Sequence, residues 1–277
     1  MAQEEDTEYQ KLPIDERCVH KLWKARVNGY EEALKLFRAI DDEKSPEWNK
    51  YLGLIKKFVI DSHAMAQEKG LEATLVFVEN CAVAGKTVGE VMGGIITKCL
   101  GAPKAKTKDL GMQIALMYIE IEKHENVIEE LCKGFDQKNP KIVATCVTTA
   151  IQALREFGAK VVSVKPLVKK IPGLLSDRDK AVRDEAKQLT VEIFRWIGPV
   201  FKTQLQSLPQ VTITELEAEF EKAKNDKAIP SRYLRSQQQR QAVIAATNDA
   251  EDEADEGKIC ALNSNVHSIN LILTFRR

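Results

Sequence analysis

Apolar residues recur three and four positions apart in stretch after stretch of this chain, the period of a helix with one buried face. Leu71, Leu75 and Val78 share a face, with Ala64 and Ala73 as small spacers, and Val182, Ala186, Leu189, Ile193 and Ile197 form another stripe. Polar turn residues punctuate the stripes: Asp61-Ser62-His63, Gly101-Ala102-Pro103 and Ser176 to Asp179, with Pro46 and Pro140 suited to a first helical turn. The pattern predicts six helical hairpins. They are 15–26 with 29–42, turning near Val27-Asn28-Gly29; 46–61 with 64–81; 88–100 with 105–122; 125–136 with 140–157; 162–176 with 179–197; and a weaker 199–208 with 212–225. Almost nothing before residue 260 alternates as a strand does.

The hairpins repeat. Gly70, Gly111, Cys146 and Lys187 fall at equivalent places in four similar stretches, 41, 35 and 41 residues apart. That period is what paired-helix solenoids of the HEAT or armadillo kind show. One hairpin cannot bury its stripe alone, so neighbours must stack. The fold class is therefore all-α, a HEAT-repeat solenoid of six hairpins over 11–226. Residues 1–10 are expected to be a flexible N-terminus, and 227–277 a mostly linker-like extension in which Pro230, Tyr233 and Leu234 could pack back onto the last hairpin. Residues 249–256 are acidic, and 259–277 are apolar again, with 269–273 open to reading as a strand or a sticky peptide.

Composition changes little: of 277 residues 44% are hydrophobic, and 41 basic side chains balance 41 acidic ones. Any charge that matters is segregated locally. The start is acidic and polar, unlike a signal peptide, and no run reaches the roughly 20 apolar residues of a membrane span. The six cysteines lack C-x-x-C spacing and read as small core residues, reduced in a cytosolic setting.

Catalytic chemistry is hard to find. Gly85-Lys86-Thr87 resembles the end of a phosphate-binding loop, but Asn80 stands where that loop needs glycine, and a helix rather than a strand precedes it. His20, His63, His124 and His267 lie apart, and Glu120/Glu122 and Glu129/Glu130 read as solvated helix surface. The chain reads as no enzyme, with no cofactor and no metal.

In a stacked array the loop inside each hairpin lies on one long edge. Those loops hold Lys104, Lys106 and Lys108, then Lys138 and Lys141, then Arg178, Lys180 and Arg183, a basic ridge suited to an acidic partner. Trp23 stands at the head of the row among cations; it is either a cap on the terminal core or an exposed anchor of the kind that dominates interfaces. Arg183 could instead brace the array through Asp177 or Asp184. Trp48 and Trp196 lie in apolar stripes and read as core.

Several motifs, in order, resemble a known family. They are His20-Lys21-Leu22-Trp23-Lys24-Ala25-Arg26 with Gly29-Tyr30-Glu31-Glu32-Ala33-Leu34, Lys44-Ser45-Pro46-Glu47-Trp48, Pro103-Lys104-Ala105-Lys106, Asn139-Pro140-Lys141-Ile142 and Lys180 to Lys187. Over about 10–240 they are similar to the first TOG domain of the animal microtubule polymerases, the family of the Mini spindles and ch-TOG proteins. The resemblance implies a flat paddle whose intra-repeat loops bind the αβ-tubulin heterodimer. Trp23 would then pack against β-tubulin, Lys104, Lys106 and Lys141 would meet acidic tubulin surface, and Lys180 and Arg183 would reach α-tubulin. It further implies a monomer in the cytoplasm, at microtubule plus ends, spindle and centrosome, with no nucleic-acid or membrane partner. Family members carry several such domains, so this chain looks like a fragment or a short product. A generic HEAT adaptor for another acidic protein is the alternative.

Overall fold

The computed structural model describes residues 8–242, apart from 225 and 227. Among these, every regular element is a helix. Six hairpins follow one another. In the first, α1 (Ile14–Cys18) is followed by α2 (Trp23–Ala39). In the second, a broken first arm of a 3-10 turn (Pro46–Trp48), α3 (Asn49–Leu52) and α4 (Ile55–Val59) precedes α5 (Ala64–Asn80). In the third, α6 (Val88–Gly94) runs into a π-helical turn (Ile95–Cys99) and returns as α7 (Ala105–Tyr118). A second π-helical turn (Ile119–Lys123) leads to the fourth, α8 (His124–Gly134) with α9 (Pro140–Phe157). The fifth is α10 (Val164–Leu175) with α11 (Lys180–Ile197). The sixth pairs a 3-10 stretch (Gly198–Leu205) with α12 (Gln210–Ala223).

One rule explains how each hairpin closes. The seventh residue of the second helix sits where the first helix crosses it. Gly29, Gly70, Gly111, Cys146 and Ala186 occupy that place in α2, α5, α7, α9 and α11. A Cβ on Gly29 would lie 2.7 Å from the Cys18 nitrogen, and one on Gly70 would strike the Phe58 carbonyl. Small residues are therefore required for helices to touch backbone to backbone. Two expectations need correction. The equivalent position in the fifth repeat is Ala186, fully buried, and not Lys187. Val27-Asn28-Gly29 is no turn: it lies inside α2, and the first hairpin turns at 19–22. The glycine marks a close approach.

The core runs unbroken through the stack. Phe37, Trp48, Tyr51 and Phe77 join the first two repeats through edge and tilted ring contacts. Trp48 is buried, its Nε1 donating to the Asp42 carbonyl at 3.0 Å; Trp196 is partly buried against the core. Cys18, Cys81, Cys99 and Cys146 are buried, and burial pushes the thiols of Cys18, Cys99 and Cys146 up to about 12. Cys132 is half-buried.

The second helices α2, α5 and α7 pack along one another, as do α9, α11 and α12, but α7 and α9 touch only slightly. The joint between the third and fourth repeats rests on α6 against α8 and on the two π-helical turns. In the second of these turns Ile121 and Glu122 leave helical geometry, Glu122 at φ 66°.

After α12 the chain does not return to the last hairpin. The Ser231 and Arg232 N–H groups donate to the Glu156 carbonyl at 3.0 and 2.9 Å, at the end of α9. The compact unit thus extends to Arg235; a second unit begins at Ser236 and is helical over 236–242. At the other end Glu8–Lys11 forms a 3-10 turn. Residues 1–7, Cys260, His267 and the stretches 249–256 and 259–277 lie outside the described residues.

Candidate protein-binding edge

Six second helices start at Trp23, Ala64, Ala105, Pro140, Lys180 and Gln210. Contacts between repeats tie these starts into a row. The Trp23 ring stacks on that of His63, which precedes α5, with centroids 3.9 Å apart and planes 13° from parallel. From the start of α7, Lys106 Nζ reaches Glu68 Oε1 at 2.6 Å and Glu72 Oε1 at 2.7 Å on α5, and Lys104 Nζ lies 3.8 Å from Glu68. A Cβ on Gly101, in the third loop, would meet Ile142 at 2.7 Å and Asn139 at 3.6 Å at the start of α9.

The loops are held by a shared device. Arg26 and Arg183 are each the fourth residue of their helix, and each turns back on the loop before it. Arg26 Nη1 donates to the carbonyls of His20 and Lys21, both at 3.0 Å. Arg183 Nη1 donates to those of Asp177 and Arg178 at 2.8 and 2.9 Å. Gln67, fourth in α5, does the same to the Val59 carbonyl at 2.9 Å. Arg183 thus braces its loop through main-chain oxygens, where the sequence suggested an acidic side chain. The Asp177 carboxylate accepts from the Asp179 N–H instead.

Asp61 anchors the head of the row. It accepts two bonds from Arg26 at 2.6 and 2.8 Å, one from the Tyr30 hydroxyl at 2.9 Å and one from the His63 N–H at 2.8 Å. Burial alone would raise its pKa, but Arg26, the His63 N–H and Tyr30 together hold the carboxyl below its ordinary value. His63, and through it Trp23, is thereby set in place.

The expected site residues all fall between the N-cap and the fourth residue of a second helix: Trp23 first in α2, Lys104 and Lys106 at the start of α7, Lys141 second in α9, Lys180 and Arg183 first and fourth in α11. Trp23 is half-buried by its stack, while Lys104, Lys106, Lys141 and Lys180 are exposed. Lys180 is 82% exposed, with Asp184 at 3.9 Å. The ridge is less bare than its lysine count implied, because Glu68 and Glu72 offset Lys104 and Lys106; hydrogen bonds from these two carboxylates raise the Lys106 pKa.

Two features escaped the sequence reading. None of the six second helices has an acidic residue in its first turn. Helix dipoles favour acids there and disfavour lysines, by about 0.3–1 kcal/mol each. The row therefore adds positive helix ends to positive side chains, against the preference of the isolated helix. Around Trp23, Val19, Leu22 and Met65 are exposed apolar side chains, so the head of the edge is greasy and the remainder basic. Gly85-Lys86-Thr87 lies in a 3-10 turn, where the buried Thr87 hydroxyl bonds the Ala84 carbonyl at 2.7 Å and the Tyr118 hydroxyl at 2.6 Å, a packing role.

Stacked helical hairpins that gather the starts of their second helices on one edge make a HEAT-type protein-binding scaffold. No helix among the described residues is long and apolar enough to cross a membrane. The chain belongs to the XMAP215/Dis1/CLASP TOG-domain family, whose model matches residues 8–220. It is 66% identical over 254 residues to protein mini spindles of Drosophila melanogaster, covering 91% of this chain but 12% of that protein. Among solved structures it is similar in fold to Drosophila melanogaster Mini spindles TOG3, with a TM-score of 0.71 and 21% identity over 80% of this chain and 99% of that one. It is also similar to a structure described as a basis of tubulin recruitment and assembly by microtubule polymerases with TOG domain arrays, with a TM-score of 0.74 and 23% identity over 82% of this chain and 50% of that one.

Proposed function

We propose that this chain binds the αβ-tubulin heterodimer along the second-helix edge, and that within a longer protein it serves microtubule growth at plus ends, spindle and centrosome. The observation that carries this reading is the row of six acid-free helix starts, headed by the Trp23–His63 stack and continued by Lys104, Lys106, Lys141 and Lys180. Similarity to mini spindles, and to a polymerase described as recruiting tubulin, supports the choice of partner. In this reading Trp23, with Leu22 and Met65, buries apolar surface on one subunit, and the cations steer and hold the acidic surface of the other. Arg183 holds the fifth loop so that Lys180 projects. No bond is made or broken. Binding that differs between curved free tubulin and the straight lattice would load tubulin and then release it.

Gel filtration with soluble tubulin tests the reading. The chain should co-elute with tubulin as a one-to-one complex, and Trp23→Glu should abolish co-elution while leaving the helical circular dichroism intact. Unchanged co-elution of the variant would place tubulin elsewhere.

A further inference from the structure

The joint between the third and fourth repeats divides the proposed edge, with Trp23, Lys104 and Lys106 on one side and Lys141 and Lys180 on the other. Because α7 and α9 barely touch, something else must set the angle between the two halves. At the binding edge the joint is pinned by Gly101 against Ile142 and Asn139. At the opposite edge it is pinned by the strap that follows α12. Arg232 stands between the ends of the two helices: its Nε pairs with Glu120 Oε2 at 2.5 Å, just past α7, and its Nη1 with Glu156 Oε2 at 3.1 Å, at the end of α9. The guanidinium lies over the Phe157 ring, 5.3 Å from its centroid. Gln152 holds the other Glu156 oxygen at 2.8 Å. The main-chain N–H groups of 231 and 232 bond the Glu156 carbonyl, and Arg235 carries the strap on to the Glu79 carbonyl at the end of α5. All three carboxylate and guanidinium partners are less than a quarter exposed.

We propose that Arg232 is a positioning residue for tubulin binding: bridging Glu120 and Glu156, it clamps the third-to-fourth repeat joint and so fixes the spacing between the two halves of the edge. This rests on the tubulin-binding reading. An ion pair that spans two rigid blocks sets their angle as a hinge pin does, because each block is stiff and the contact between them is thin. A planar, forked guanidinium suits the task; a lysine, a point charge, reaches one carboxylate firmly at a time.

The test combines two readouts on Arg232→Gln. The first is amide exchange at Ala102, Ile142 and Val143, whose N–H groups bond Cys99 and Asn139 at the far edge of the same joint. The second is tubulin affinity. The expected result is faster exchange at those three amides, unchanged exchange within α2 and α5, and tubulin affinity weaker by about tenfold, within the usual range of coupling between separated sites. Unchanged exchange, or faster exchange with unchanged affinity, overturns the proposal. Should Arg232→Gln lose helicity, Glu156→Gln, which removes one arm and keeps the Glu120 pair, is measured in the same way with the same criteria. Should the unaltered chain bind no tubulin, the function proposed above fails, while exchange at 102, 142 and 143 still decides whether the clamp exists.

Discussion

Asp61→Ala should be among the most damaging single changes at the edge. The carboxylate accepts four hydrogen bonds from three residues, and its side chain is 2% exposed. Removing it strands the Tyr30 hydroxyl and the His63 N–H and deprives Arg26 of its counter-ion. Breaking a buried pair from one side costs about 3–5 kcal/mol. Arg26 keeps the His20 and Lys21 carbonyls and is 16% exposed, so the lower end applies, about 3 kcal/mol. For a chain of this size that corresponds to a melting point lower by roughly 6–12 °C. The dependence on pH has a definite sign. The folded pKa is depressed, so the stabilisation is complete above the unfolded carboxylate value of about 3.9 and fades as pH falls through the lower folded value. The difference between Asp61→Ala and the unaltered chain should therefore be full at pH 7 and shrink in acid below about pH 4. Urea unfolding followed by circular dichroism at several pH values measures it. A loss under about 1 kcal/mol at pH 7, the worth of a surface pair, would refute the reasoning.

Joint Lys104→Ala and Lys106→Ala should weaken tubulin binding and flatten its salt dependence, though less than for bare lysines, because Glu68 and Glu72 already screen them; an unchanged slope in titrations over salt would count against the ridge. Thr87→Val should cost about 1–3 kcal/mol in urea unfolding by stranding the Tyr118 hydroxyl, and adding Tyr118→Phe should recover part of that loss; additive losses would sink the pair.

The helices were legible because their apolar period is local, and the edge because every intra-repeat loop must fall on the same side of a stack. The partners of the edge were not. Lys106 meets acids 34 and 38 residues away, a pairing fixed only once repeats are laid side by side. Arg26 and Arg183 bond main-chain carbonyls, which every residue carries, so no sequence pattern marks them. The strap reads as a short polar stretch with no period, and what gives it a role is the end of α9, some 76 residues earlier. The absence of acids from first turns was visible in principle, but only after each helix start had been placed to the residue.

Gly29 shows why placement matters. Beside Asn28 it reads as a turn, since glycine and asparagine favour turns; the structure puts it mid-helix against Cys18. The two readings make opposite predictions for Gly29→Ala. In a helix, alanine gains about 1 kcal/mol over glycine. Here the new Cβ would sit 2.7 Å from the Cys18 nitrogen and 2.9 Å from the Arg17 carbonyl carbon. Both are main-chain atoms, which cannot swing aside as a side-chain tip can, and overpacking of this kind costs about 1–3 kcal/mol. The short α1 must shift or detach, so a net loss of about 1 kcal/mol is expected. Gly89, in α6, has nothing within 4 Å of an added Cβ, and Gly89→Ala should be neutral or stabilising by about 0.5 kcal/mol. Urea unfolding of the two variants side by side separates propensity from packing. If Gly29→Ala gains stability as Gly89→Ala does, α1 and α2 do not meet at that glycine, and the seventh-position rule for closing each hairpin fails with it.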